Sequence, residues 1–156
     1  MSYVARVLEP GEEVRYKAQL SWTAYVPGAL VLIVGIAIAL VGLYFADVHE
    51  YIYIAGKVIG ALIGLGGLLM LAEAFYRRWT TEIAVTNKRV ILKRGLVVRR
   101  TIEMNMSKVE SVDVVQSVLG RIMGYGNVTI RGTGSSLEPI YGIDDPLGFR
   151  SSITSL

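Results

Sequence analysis

The chain contains no cysteine, which excludes disulfides, thiolate nucleophiles and cysteine metal sites. Its one histidine, His49, cannot build an imidazole-rich centre, and no histidine is near Ser135, Ser136, Ser151 or Ser152 to form a hydrolase triad. The carboxylates Glu103, Glu110, Asp113, Glu138, Asp144 and Asp145 lack the spacing of an acid–base pair or a metal motif. The glycine-rich stretch 132–136 lacks the lysine and following helix of a phosphate cradle, and reads as a hairpin loop. These absences predict a non-enzymatic protein with no cofactor. Charge is missing too where it matters most. Residues 28–46 carry neither a charge nor an amide, and the connection 47–50 has no lysine or arginine.

What the chain has in excess is apolar surface. Hydrophobic residues make up 53% of its 156 positions, with 17 glycines, and the mean hydropathy is +0.49. At 1.5 Å per residue, the run 28–46 can cross most of a hydrocarbon layer about 30 Å thick. A second apolar run, 51–76, follows at once. The pair is expected to form a two-helix transmembrane hairpin over 25–76, with spans at 25–46 and 51–76. The 27 residues ahead of the first run are too long and too polar for a signal peptide. Trp22 and Tyr25 suit a membrane interface, and Pro27 suits a first helical turn. Lys57 and Glu73 are the candidate intramembrane charges; each is near a span end, where a long side chain can reach the headgroups.

Arg15 and Lys17 precede the first span, and Arg77, Arg78, Lys88 and Arg89 follow the second. Positive charge at both ends and none in the hairpin tip predicts that both termini are cytoplasmic. Gly28, Gly35 and Gly42 recur every seven residues, and Gly56, Gly60 and Gly64 every four. Small residues on one face let helix backbones approach closely, so these six are expected to pack helices, either within the hairpin or between copies in a homo-oligomer.

Before the spans, residues 1–24 form an N-terminal cytoplasmic segment in which 14–20 can be a strand. After them the pattern becomes short β-branched units. Residues 80–86, 89–94 and 96–104 read as an antiparallel meander turning at Asn87–Lys88 and Gly95. Further strands are expected at 108–116, 126–131 and 137–143, with a compact loop or single turn at 117–124. Asp144, Asp145 and Pro146 announce a short final helix with an acidic cap.

The sequences Ile-Ala-Val-Thr-Asn-Lys-Arg-Val-Ile (83–91), Lys-Val-Glu-Ser-Val (108–112), Ser-Val-Leu-Gly-Arg-Ile-Met-Gly-Tyr-Gly-Asn-Val-Thr-Ile (117–130) and Ile-Asp-Asp-Pro (143–146) together resemble the bacterial pleckstrin-homology-like domain of small membrane proteins. The resemblance covers residues 77–156. It implies an all-β PH-like domain behind the helical hairpin: a bent antiparallel sheet or partial barrel with a short C-terminal helix. Only six strands are visible after the spans, where the full domain has seven, so 14–20 would have to supply the seventh.

The functional expectation is an integral membrane interaction or scaffolding protein of a bacterial or archaeal plasma or inner membrane, presenting an oligomeric PH-like domain at the cytoplasmic face. Its partners would be membrane lipids and further copies of itself, with no nucleic acid, since the basic residues lack interleaved aromatics. An oligomeric channel or transport-associated protein is one alternative, an anionic-lipid-binding module another. The candidate lipid contacts are Arg77, Arg78, Lys88, Arg89, Lys93, Arg94, Arg99 and Arg100.

Overall fold

The computed structural model of the protein describes residues 3–46, 50–136 and 139–155. His49 and Glu138 lie outside them. The chain divides into two compact units: residues 24–76, and the residues before and after that stretch together.

The helical unit consists of α2 (Val26–Tyr44), entered through a 3₁₀ turn at Trp22–Tyr25, and most of α3 (Glu50–Thr80). The second helix continues through Arg77 to Thr80, past the boundary expected at residue 76. Both helices are long and apolar enough to cross a membrane. Most of their large side chains, among them Leu30, Ile33, Leu40, Leu62, Leu65 and Leu69, are exposed. What holds the helices together is a seam of missing side chains. Gly28, Gly35 and Gly42 are the buried residues of α2. A Cβ on Gly28 would lie 2.9 Å from the Leu71 amide nitrogen, one on Gly42 2.9 Å from Gly56 Cα, and one on Gly60 2.7 Å from the Ala39 nitrogen. A Cβ on Gly35 would collide with the Gly64 backbone.

On α3 the seam runs through Gly56, Gly60 and Gly67. Gly64 offers its backbone to Gly35, but a Cβ of its own would make an ordinary 3.8 Å contact with Leu32. The close approaches at these glycines are thus made within one chain.

The β unit begins with α1 (Tyr3–Val7), a helix too short for any periodic signal. A first sheet has the order β1 (Val14–Ala18), β2 (Glu82–Thr86), β3 (Arg89–Arg94), β4 (Arg100–Asn105), all antiparallel. The hairpin is thus inserted between the first two strands, and β1 is the edge strand that the six later candidates lacked. The third strand starts at Arg100 rather than at 96, because Gly95 (φ 78°) opens a turn that leaves residues 96–99 outside the ladder.

A second sheet pairs β5 (Val109–Val115) with β6 (Tyr125–Gly132), and β6 with both β7 (Ser135–Ser136) and β8 (Ile140–Asp144). The architecture is two antiparallel sheets rather than one bent sheet or partial barrel. A β-bridge from Leu20 to Ile143 links them, flanked by Ser21 N–H to the Gly142 carbonyl at 2.7 Å and Asp144 N–H to that of Gln19 at 2.9 Å. Residues 117–124, expected as a loop or single turn, hold the six-residue α4 (Val118–Met123), capped by the Ser117 hydroxyl and ended by Gly124 at φ 74°.

Alternating residues of both sheets converge on one core, including Ile83, Val85, Val90, Leu92, Val128 and Ile130. The last helix, α5 (Pro146–Thr154), contributes Phe149 and Ile153. Its cap is Asp145, whose carboxylate accepts the Gly148 N–H at 3.0 Å. Phe149 meets the Tyr16 ring edge-on, with centroids 6.1 Å apart.

The seam makes a paired prediction. Gly35→Ala should destabilise the detergent-solubilised chain by about 1–3 kcal/mol, since two backbones must separate. Gly66→Ala, where a Cβ meets open space, should be neutral or stabilising by up to about 1 kcal/mol. Thermal unfolding of the two variants, side by side, decides whether the close approach exists.

Candidate functional site

The eight basic candidates fall at opposite ends of the first sheet, in different electrostatic settings. At the β2–β3 turn, the N-terminal segment folds back over the sheet. Asn87 donates to the Gly11 carbonyl at 3.1 Å and accepts the Glu13 N–H at 3.1 Å. Val4, Ala84 and Ile91 form a small second core on this outer face, so β2 and β3 are covered on both sides.

Within that cover, the Arg89 Nε and Nη2 donate to Glu12 at 3.0 and 2.9 Å, and Nη1 donates to Glu103 at 2.8 Å. The Thr86 hydroxyl and the Glu9 N–H also reach Glu12, at 2.7 and 2.8 Å. Burial alone would raise the Glu12 pKa. The Arg89 hydrogen bond and charge, with the Glu9 and Thr86 donors, outweigh it and lower it from 4.5 to about 2. The Arg89 pKa is raised, chiefly by the hydrogen bond to Glu12.

Lys88 pairs with Glu9 at 3.4 Å. Lys93 is buried, at 5% exposure, with Glu82 3.9 Å away. The same Glu82 accepts the Tyr3 and Val4 N–H groups, at 3.1 and 3.3 Å, and so caps α1. Lys88, Arg89 and Lys93 thus have carboxylate partners within the fold.

The remaining candidates gather at the other end of the sheet, where the Glu82–Lys93 pair also lies. Here β3 and β4 close with Arg94 opposite Arg100, and residues 95–99 project beyond. Arg94 donates to the Pro139 carbonyl at 3.3 Å, and the Arg99 guanidinium lies over the Tyr3 ring, 5.6 Å from its centroid. Arg99 and Arg100 are exposed, as is Arg77 on the last turn of α3; Arg78 is half-buried. Between these arginines Leu96, Val97 and Val98 are exposed by 51, 88 and 82%. Read as a strand by composition, they were no site candidates. The usable signal is an apolar triplet after a glycine, bracketed by arginine pairs.

The charges within the helices remain apart from each other. Lys57 donates to the Tyr53 hydroxyl at 3.1 Å, and Glu73 is exposed. Sixteen residues separate them, about 24 Å along α3. Among the described residues, no group of three or more His, Asp or Glu converges as a metal site would require.

Two antiparallel sheets around one core, with a C-terminal helix packed into it, define a PH-like scaffold, a class that binds lipids or proteins and does no chemistry. The chain belongs to the bacterial PH domain family, which matches it over residues 24–154. The match includes the helical insertion, where the resemblance drawn from the sequence begins at residue 77. No curated protein and no solved structure matches the chain.

Because the folded Glu12 carboxyl titrates near 2 against 4.5 for the free group, its contribution is complete above about pH 4.5 and is lost as the pH falls toward 2. Glu12→Ala should cost about 3 kcal/mol near neutral pH by removing the carboxylate that Arg89 Nε and Nη2 share and leaving Arg89 only partly compensated. Glu12→Gln should flatten the acid limb of stability, followed by the fluorescence of Trp22 and Trp79 during thermal unfolding. An acid limb unchanged by Glu12→Gln would remove the pair from this role.

Proposed function

We propose that this protein is a non-enzymatic membrane scaffold, in which α2 and α3 cross the membrane as a hairpin and the PH-like unit works at the cytoplasmic face. The observation that carries the reading is the inserted pair of helices whose large apolar side chains point outward, around a seam made only of glycine and backbone. A soluble protein would bury such faces; a lipid bilayer is the solvent they fit. Aromatic residues support it. Trp22, Tyr25, Tyr76 and Trp79 stand at one end of the helices, and Tyr44, Phe45, Tyr51 and Tyr53 at the other. Apart from Lys57, the arginines and lysines of the described residues lie in the β unit, which supports an inward placement of both termini.

A homo-oligomer remains part of this reading, but through the outward Leu and Ile faces rather than the glycines, which the seam already occupies. Sedimentation of the detergent-solubilised protein at the monomer mass would remove that part. A conducting pathway is disfavoured, because Lys57 and Glu73 are too far apart to line one constriction together.

The absence of cysteine makes the topology directly testable in intact cells. A membrane-impermeant maleimide should label Tyr51→Cys from outside, and Glu13→Cys only after permeabilisation. Labelling of Glu13→Cys in sealed cells would overturn the orientation, and labelling of neither in opened cells would overturn exposure of the tip.

A further inference from the structure

The turn between β3 and β4 is an apolar projection in a basic frame, and we infer that it inserts into the headgroup–acyl boundary of an anionic leaflet. The inference rests on the reading of α2 and α3 as spans, and adds to it a second, peripheral contact with the same membrane.

Four observations converge on it. The first is exposure: Val97 and Val98 are 88 and 82% exposed, on a domain whose interior is otherwise well filled. Second, the shape of the turn is fixed. Gly95 adopts φ 78°, and the Val98 carbonyl occupies the space that a Cβ there would need. With β3 and β4 paired up to Arg94 and Arg100, the apolar residues are held at the tip.

The third is charge. Arg99 and Arg100 are exposed beside the tip, and the stacking of Arg99 on Tyr3 leaves its positive charge in place. An apolar tip with a cationic collar complements acidic phospholipid, which offers hydrocarbon just beneath phosphate. The fourth is position. The chain leaves the first sheet past Ala18 and re-enters it at Glu82. Ala18 pairs with Ile83, and Glu82 with Lys93, so both connections to the helices are at the sheet end from which this turn projects. The exposed apolar face of α4, with Val118, Leu119 and Ile122, has no such connection, and the helix itself carries the single cation Arg121.

The test uses the full-length chain in vesicles, with an environment-sensitive fluorophore on Val97→Cys, and on Val98→Cys as a second reporter. Glu13→Cys, at the far end of the sheet, is the control, and Leu40→Cys on α2 reports the span. In vesicles with roughly one-third phosphatidylglycerol, emission from 97 should shift to the blue. Acyl-chain spin labels should quench it at least about twofold more than at 13. Adding Arg99→Gln and Arg100→Gln should bring the quenching at 97 down to the level seen in neutral vesicles.

Water-like emission at both 97 and 98 overturns the insertion. A blue shift without lipid quenching also overturns it, and points to a protein neighbour such as a second copy. Quenching at 40 with none at 97 and 98 refutes the insertion alone. No quenching at 40 refutes the span, whatever the turn reports.

Discussion

The pairing of β1 with β2 is the constraint on which the rest of the structure depends. Val14 faces Thr86 and Ala18 faces Ile83, so the first sheet closes only after the whole helical insertion has been made. Joining such distant partners through a flexible loop would carry a closure cost that grows with the logarithm of its length. The glycine seam reduces that cost. It runs from Gly42 against Gly56 to Gly28 against Leu71, bringing the beginning and end of the insertion close together. A connection of many residues then behaves like a short one, and an edge strand can be supplied from before the helices.

Once β1 is in place, the residues ahead of it have one accessible course, back over the outer face of β2 and β3. Val4 covers Ala84 and Ile91 there, which explains why both strands are buried on both faces although antiparallel sheets commonly leave one face wet. Covering that face also removes water from Arg89, Lys93, Glu12 and Glu82. Charges so placed are tolerable only with partners, and each has one. The same packing event thus divides the basic residues of the sheet. Lys88, Arg89 and Lys93 carry carboxylate partners, whereas Arg99 and Arg100, at the turn that ends the ladder, are exposed. The polarity of the domain follows from which residues the first fourteen can reach.

Local signals in the sequence carried over well. The runs near 28–46 and 51–76, the turns at Asn87–Lys88 and Gly95, and the Asp145–Pro146 start of α5 are governed by neighbours a few residues away, and composition reveals them. Features set by distant partners did not. The cap on α1 comes from Glu82, 78 to 79 positions away, and the counter-ion of Arg89 from Glu12, 77 positions away. A basic residue destined for an ion pair looks the same in sequence as one destined for a surface. Gly64 and Gly67 illustrate the same limit within a helix: a four-residue repeat names a face, while the register against α2 decides which glycine stands opposite Leu32. Leu96–Val98 has strand composition, yet the left-handed Gly95 ends the ladder before it. In the second sheet β5, β6 and β8 were legible, whereas the two-residue β7 fell in what composition reads as a hairpin loop, and no local pattern distinguishes one bent sheet from two.

Many polar side chains of the β unit, buried or exposed, are committed to partners within the fold. Glu12 accepts from Arg89, Thr86 and a backbone amide; Asp145 caps a helix and accepts the Tyr16 hydroxyl at 3.3 Å; Ser117 caps another helix. Each of these side chains has a structural partner that explains its place. The proposed membrane contact draws instead on the outline of the molecule, where shape, apolar exposure and exposed positive charge coincide. For a PH-like scaffold with two apolar helices inserted between its first strands, the outline richest in all three is the end of the sheet where the insertion begins and returns.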